Sequence, residues 1–522
     1  MITTMVKRGG LALLPLAAGL CAAFPAQAAW DFTPVAGARA TWSDNLTLQS
    51  DALAESGYVM EVTPGFSLAN HSQRFDLRLD YALRLYKTSA ARSNGAQNRS
   101  QDLGGALKSR LVDELLYFDA RADIHQQAVS AFGPLASGTD YLNNNRSEVR
   151  SYHLSPYLVH RFGAFANGEL RYVRDSVSSD NPGFRGSDGN ILSAQLRSGP
   201  TFRRFGWDAS LSRMVSDEEV PVAGGRNERQ TTSSKGANLG LRYVASPQLN
   251  LGVYGGYDDY DFSGLGGSQS GAAYGASLEW VPSARTALRA SAGHRFYGPS
   301  YSMDLTHRSR GTVWKLLYSD AVSSSRSQFS LPQAIDTAAM LDNLFRAQIS
   351  DPLLRAAAVQ AYMQSTGLPS SLAVPVNFLS NRYSLQKQLN ATVIWQLART
   401  TTTFSLMRMR REMLSKQQSD SVLLGSSLLA LNDNTDQVSA MANVSYRLGP
   451  QTVANLMATA FNIESLSTGQ RNQRRDLRFN LSRSFGGRLS GTLELRHVKG
   501  ASGAGGPQFA ENAVTVGLTS KF

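Results

Sequence analysis

Apolar and polar residues alternate along most of the chain with a period of two, which is the side-chain period of a β-strand. The clearest run is FDLRLDYALRLY at residues 75–86, where Leu77 and Leu79 alternate with Arg78 and Asp80. Roughly 22 runs of this kind follow one another, and each has about the 9–11 residues that cross a bilayer as a tilted strand. The pattern predicts a large antiparallel sheet with one apolar face and one polar face.

The connections between the predicted strands alternate in length. Short turns are predicted at residues 70–73, 111–114, 161–164, 245–248, 282–285, 309–311, 448–451 and 485–487. Longer polar loops are predicted at residues 129–146, 176–190, 216–232 and 415–433. A barrel of the outer-membrane type has tight turns at one rim and long loops at the other, whereas a soluble sandwich has no reason to keep this parity. The predicted fold is therefore an all-β, up-and-down transmembrane barrel of about 22 strands, with a first strand near residues 33–48.

The first residues predict export from the cytoplasm. Lys7 and Arg8 precede an apolar run at residues 11–24, and Ala26-Gln27-Ala28 offers the small residues of a cleavage site. This apolar run is shorter than the ~20 residues of a spanning helix. We therefore expect residues 1–28 to be a signal peptide, with the barrel formed by residues 29–522.

The last strand agrees with a destination in the outer membrane of a Gram-negative bacterium. Val514, Val516, Leu518 and the terminal Phe522 share one face of this strand. It resembles the last strand of bacterial outer-membrane proteins, although Ser520 stands where an apolar residue is usual. The resemblance implies recognition by the barrel assembly machinery, and surroundings of outer-membrane lipid and lipopolysaccharide.

Composition and charge fit a large barrel. The chain has 45 Gly, 19 Tyr and 22 Phe, which suits turns and aromatic girdles. Its net charge is +12, but basic residues alternate with acidic ones along the same strands, which argues against a patch for nucleic acid. Cys21 is the only cysteine and lies in the predicted signal peptide, so no disulfide or thiolate metal site is expected.

The polar faces of the strands are expected to line the lumen. An excess of arginine there favours an acidic or neutral saccharide over a cation, because guanidinium donates forked hydrogen bonds to carboxylate or phosphate. The alternative is a network of ion pairs that maintains the barrel's shape, in which an exposed pair contributes only about 0–1 kcal/mol. The predicted lumen residues are Arg78, Asp80, Arg84, Asp119, Arg121, Asp123, Arg171, Arg289, Arg295, Arg478, Glu494 and Arg496.

One segment, at about residues 322–380, has helical spacing instead. Ser350 precedes Asp351-Pro352 as a helix N-cap, and Gly367 follows as a C-cap, which predicts a helical hairpin in the largest external loop. We expect this hairpin to fold inward as a constriction or plug. The alternatives are packing on the rim and a helix pair that faces the membrane or a partner. Its apolar residues are Leu341, Leu344, Phe345, Leu353, Leu354 and Tyr362.

Two other functional classes are disfavoured. Asp123 and His125 share a polar face as in some outer-membrane hydrolases, but no positioned nucleophile accompanies them, so no enzyme, cofactor or metal site is predicted. A gated nutrient receptor has a plug domain before its barrel. The residues ahead of the first predicted strand are too few for such a domain.

Three blocks, at residues 100–134, 146–177 and 325–372, resemble the PEP-CTERM system-associated outer-membrane protein family. That family is named for its genomic setting beside exosortase and exopolysaccharide genes. The resemblance implies a conduit or scaffold in exopolysaccharide export or biofilm matrix assembly, with polysaccharide and periplasmic export components as partners. A general diffusion porin and a closed structural barrel that anchors surface polymer or protein remain the alternatives.

Overall fold

The chain forms one 22-stranded antiparallel sheet in the computed structural model. The structure describes residues 30–72, 74–89, 98–133, 145–181, 183–184, 186–221, 227–262, 267–324, 326, 341–342, 359, 378–380, 383–414, 431–501, 506 and 508–522. The strands are β1 (Trp30–Ser43), β2 (Gly57–His71), β3 (Phe75–Thr88), β4 (Arg99–Val112), β5 (Leu116–Ala128), β6 (Arg146–Phe162), β7 (Ala166–Ser179), β8 (Ser187–Ser198), β9 (Phe205–Pro221), β10 (Asn227–Ser246), β11 (Leu249–Phe262), β12 (Gly267–Ser283), β13 (Thr286–Arg295), β14 (Gly298–Arg308), β15 (Thr312–Ser323), β16 (Ser384–Gln396), β17 (Thr400–Met413), β18 (Thr435–Arg447), β19 (Thr452–Ser465), β20 (Arg471–Ser484), β21 (Leu489–Ala501) and β22 (Gln508–Lys521). A 3₁₀ turn lies at Asp51–Leu53.

The sheet is closed. Each strand pairs antiparallel with its neighbours in sequence, and β22 pairs with β1 from Val35↔Lys521 to Ser43↔Ala513. Closure leaves no edge strand with unpaired backbone groups, which is the condition for a sheet in a bilayer. The predicted up-and-down barrel of the outer-membrane type is confirmed.

The outer surface is apolar and carries two bands of aromatic residues. Paired residues share a face, so the register carries the alternation seen in β3 around the whole barrel. Exposed aromatics near the rim of short turns include Trp30, Phe32, Phe162, Phe205, Trp280, Trp314, Trp395, Tyr446 and Phe522. Those nearer the opposite rim include Trp42, Tyr58, Tyr257, Tyr274 and Tyr301. Two such girdles flank the apolar band of a membrane barrel.

All eight predicted short turns fall between strands at one rim, which we call the short-turn rim. The opposite, long-loop rim carries the connections at 129–145, 324–383 and 414–434. The predicted loop at 216–232 is wrong over most of its length, because β9 and β10 stay paired as far as Pro221↔Asn227. The first strand also begins and ends earlier than predicted, at Trp30–Ser43. Strands that project beyond a bilayer meet water on both faces, so alternation no longer marks their ends.

The β13–β14 connection departs from the expected parity. Only residues 296–297 separate these strands, although the connection lies at the long-loop rim. Gly298 has a φ of 110°, a conformation that side chains with a Cβ rarely adopt. A glycine at this position permits the tight reversal.

Two predicted segments fall largely outside the described residues. The predicted signal peptide at residues 1–28 lies outside them entirely and stays a prediction. In the segment predicted to be helical, at about residues 322–380, Leu341 is among the described residues. It has a helical backbone and a fully buried side chain. The other predicted constriction residues, Leu344, Phe345, Leu353, Leu354 and Tyr362, lie outside the described part, and the helical hairpin stays a prediction. Within the described residues, no helix has the length and hydropathy of a transmembrane helix.

The alternation predicts that substitutions at two neighbouring positions in β4 affect the free energy of unfolding to very different extents. Leu103 faces outward beside Tyr81 and Ile124, whereas Gly104 faces the lumen, where an added Cβ would have no heavy atom within 4 Å. Leu103→Arg is expected to lower the free energy of unfolding by about 2–4 kcal/mol in lipid vesicles, because it places a charge in hydrocarbon. Gly104→Arg should change it by less than about 1 kcal/mol. Urea unfolding followed by circular dichroism measures both, and equal losses would contradict the assigned faces.

Candidate functional site

The twelve predicted lumen residues all lie on the inner face of the sheet. In β3, Arg78, Asp80 and Arg84 alternate with the outward Leu85, and their cross-strand partners continue the same face. The register places the other nine in the same way on β5, β7, β13, β20 and β21. The inner face is therefore polar and charged. Whether these residues act on a solute stays a prediction.

Nine of the twelve are held in ion pairs rather than gathered at one centre. The pairs are Arg78–Asp80 (2.8 Å), Arg84–Asp102 (2.8 Å), Arg171–Asp119 (3.5 Å), Arg171–Glu169 (2.8 Å), Arg289–Glu279 (2.9 Å), Arg295–Asp258 (2.8 Å), Arg478–Asp476 (2.8 Å) and Arg496–Glu511 (2.7 Å). Arg121, Asp123 and Glu494 have no ion pair within the described part of the chain. Sequence reasoning named the cations but missed Asp102, Asp258, Glu279 and Glu511. Strand parity was the available signal for Glu511, because it lies an odd number of residues from the outward Val514.

Among the described residues, the most enclosed ion pair lies beside the seam, which is the β22–β1 pairing that closes the barrel. Arg496 on β21 and Glu511 on β22 are each 1% exposed, and Ser43 Oγ on β1 donates a hydrogen bond to Glu511 Oε1 at 2.9 Å. The contact therefore joins the last two strands to the first. Removing one partner of such a pair leaves an uncompensated charge in the interior.

Loop residues cross the lumen near the long-loop rim. Ala131 and Phe132, which follow β5, pack with Phe378, Leu431 and Ile463 into an apolar group that we call the lumen cluster. Ile463 and its register partner Asn472 face inward on β19 and β20, and Asn472 Nδ2 donates to Ala131 O at 2.9 Å. Six strands separate β20 from β5 around the wall, so these contacts run through the interior.

A neighbouring segment, residues 378–380, extends these contacts toward other strands. We call the lumen cluster and residues 378–380 together the crossing. Residues 378–380 precede β16, and Leu379 N donates to Ala128 O at 3.1 Å. Leu379 packs with Val149 on β6 and Val177 on β7, while the guanidinium of Arg411 on β17 lies 4.5 Å from the centre of the Phe378 ring. The β15–β16 connection thus reaches into the barrel at residues 378–380. These three residues follow the predicted hairpin, and the inward fold of the hairpin itself stays a prediction.

Both ends of the same connection are anchored to the wall. Arg326 forms a buried ion pair with Asp175 of β7 and contacts Met214 of β9. The hydroxyl groups of Tyr383 and Thr232 of β10 lie 2.7 Å apart. Burial raises the pKa of Tyr383 well above its ordinary value, so the hydroxyl stays protonated and able to donate. No sequence pattern singled out Arg326 or Tyr383, because isolated residues in a long loop carry no periodicity.

Below the crossing, a cavity of about 1400 Å³ extends toward the short-turn rim. Its inward-facing lining includes Thr63, Asp80, Asp102, His125 and Lys521. We call this space the vestibule. Asp123 and His125 stand on its side of the crossing, and among the described residues no group of three metal-binding side chains occurs. Polar and apolar residues both line the vestibule.

Comparisons with known proteins give only distant structural similarity. No family model and no curated protein matches the sequence. The structure is similar to the siderophore receptor PirA from Pseudomonas aeruginosa at 10% identity and a TM-score of 0.47, with 94% of this chain and 80% of that chain covered. It is also similar to the FrpB iron transporter from Neisseria meningitidis at 10% identity and a TM-score of 0.49, with 94% and 83% covered. At such values the likeness says nothing about a ligand of this chain.

The seam pair predicts a non-additive set of stabilities. Arg496→Met alone is expected to cost about 3–5 kcal/mol of unfolding free energy, because Glu511 keeps a buried charge. Adding Glu511→Leu should recover most of that loss. Arg289→Met is the matched control, since Arg289 is 70% exposed in its pair with Glu279 and should cost no more than about 1 kcal/mol. Urea unfolding in vesicles measures all three. A double variant as unstable as Arg496→Met would contradict the pair's assigned role.

Proposed function

We propose that this chain is an integral protein of a Gram-negative outer membrane and serves as a passive conduit for a hydrated polysaccharide. The observation that carries the proposal is the charged and hydroxyl-bearing inner wall, together with the chain's own loop residues packed across the lumen near the long-loop rim. Exopolysaccharide export, which the sequence resemblance implies, is the specific form of the proposal. Inner-membrane and periplasmic components would supply the energy, since the sequence contains no nucleotide-binding loop.

The inner wall favours a strongly hydrated solute. Its cations are mostly neutralised by the acids described above, so the wall presents carboxylates, guanidinium groups and hydroxyls without a strong field of one sign. Saccharide hydroxyls can exchange hydrogen bonds with such groups and with ordered water. Arg121 is a lumen cation with no ion pair among the described residues and extends the tolerance to acidic sugars.

The crossing argues against a freely open diffusion porin. Phe132 and Phe378 are each almost completely buried, and they join wall positions on well-separated strands. Their packing narrows the long-loop end of the lumen. A conduit must displace these side chains during transport, whereas a closed structural barrel would keep them in place.

Conductance of the refolded protein in planar bilayers separates these functions. Alginate and dextran serve as acidic and neutral polysaccharide probes. We expect a measurable channel that either polymer blocks from the vestibule side. Conductance indifferent to both polymers would indicate a general porin, and a silent protein would indicate a structural anchor. A deletion strain that still exports normal polysaccharide would contradict the export role.

The crossing also predicts a gain of conductance on truncation. Phe132→Ala/Phe378→Ala should raise single-channel conductance roughly two-fold or more, because two rings of ~150–250 Å² each are removed from the narrowed end. Phe404→Ala is the matched control, since Phe404 faces outward on β17 and is half exposed. Unchanged conductance in the double variant, or an equal rise in the control, would contradict a constriction at the lumen cluster.

A further inference from the structure

An apolar groove of about 780 Å³ runs along the outer surface over β14–β21. Its floor consists of two cross-strand alanine pairs, Ala440↔Ala460 and Ala442↔Ala458. Large side chains border this floor, with Leu406 on one side and Leu477 on the other. Four small residues between large ones leave a depression in a surface that otherwise presents bulky apolar groups to lipid. The depression has the volume and the apolar lining to seat a hydrocarbon chain.

Two cations border the groove at the end nearer the long-loop rim. Arg475 on β20 and Lys499 on β21 are exposed register partners, and Arg475 also pairs with Ala460 of the groove floor. Like charges at directly opposed positions destabilise a sheet. Neither cation has an ion pair among the described residues.

Three other outward cations on this side of the barrel, all nearer the long-loop rim, are ion-paired. Arg408 pairs with Asp436 at 2.7 Å, Lys387 with Glu412 at 3.2 Å and Arg471 with Glu464 at 3.1 Å. The Arg475–Lys499 pair is thus a local excess of two positive charges. It lies where the outer face changes from the apolar Leu477 to the polar Gln473. This is the depth of lipid headgroups on a membrane barrel.

We propose that Arg475 and Lys499 bind a phosphate of the phosphorylated glycolipid of the outer leaflet, lipid A, while one of its acyl chains occupies the groove. The long-loop rim faces the cell exterior in outer-membrane barrels, which selects the outer leaflet. A phosphate between the two cations converts their repulsion into two charge-assisted hydrogen bonds. The proposal needs the membrane placement given above but does not depend on the conduit role.

Binding to the detergent-refolded, full-length mature protein tests the proposal. The probe is bisphosphorylated lipid A, and native mass spectrometry with titration gives its Kd. Arg475→Gln/Lys499→Gln should bind about ten-fold more weakly or worse, because both charge-assisted contacts are lost. Arg471→Gln is the matched control on the same strand and face, and it should bind as the wild type does. Ala458→Trp fills the groove and leaves both cations in place, and it should also weaken binding.

Each remaining outcome decides against the site. Wild-type affinity in the double variant would remove the role of the cations, and wild-type affinity in Ala458→Trp would remove the groove. Phosphatidylglycerol bound as tightly as lipid A would indicate general attraction to anionic lipid. Heat-modifiable gel mobility shows whether each variant has refolded. If the double variant does not refold, Arg475→Gln alone replaces it. Conductance is recorded separately, so loss of lipid binding and loss of the channel remain distinguishable.

Discussion

The whole structure depends on the pairing of β22 with β1. A bilayer offers no water to unpaired amide and carbonyl groups, so a sheet can cross it only when its two edges bond to one another. The nine register pairs between these strands meet that condition. The buried Arg496–Glu511 contact and the Ser43 hydrogen bond lie beside the same seam and connect the ends of the chain. Closure therefore brings backbone hydrogen bonding and side-chain packing together at one place in the barrel.

Closure also decides where polar and apolar residues can go. A strand turns successive side chains to opposite faces, so one face must meet lipid and the other the lumen. The lumen of a 22-stranded barrel is wide, and its wall is rich in ion pairs that need water or a partner across the space. In this protein, loop residues fill part of that space. The lumen cluster brings apolar side chains from the β5–β6 and β15–β16 connections into contact with β19.

Much of the fold could be predicted from period-two alternation and turn chemistry, while contacts between distant segments could not. The inward position of Arg78 follows from the outward Leu77 and Leu79, and the short turns follow from polar breaks in the same pattern. The extension of β9 and β10 was missed because strands in water need no apolar face. The ion pair of Arg326 with Asp175 and the packing of Phe378 against Ile463 join residues far apart in sequence. Local patterns carry no information about such pairings. The groove was missed for a related reason, since outward alanines on β18 and β19 look like ordinary alternation until the register brings them together.

The central claim is that every strand has one lipid face and one lumen face, and single-cysteine labelling along β4 tests it most directly. The natural chain offers a simple background because Cys21 is its only cysteine. Cysteines placed one at a time at positions 103–108 of the vesicle-reconstituted protein are reacted with a charged, water-soluble maleimide. The account predicts fast labelling at 104, 106 and 108 and protection at 103, 105 and 107. Uniform labelling, or protection without a period of two, would contradict it.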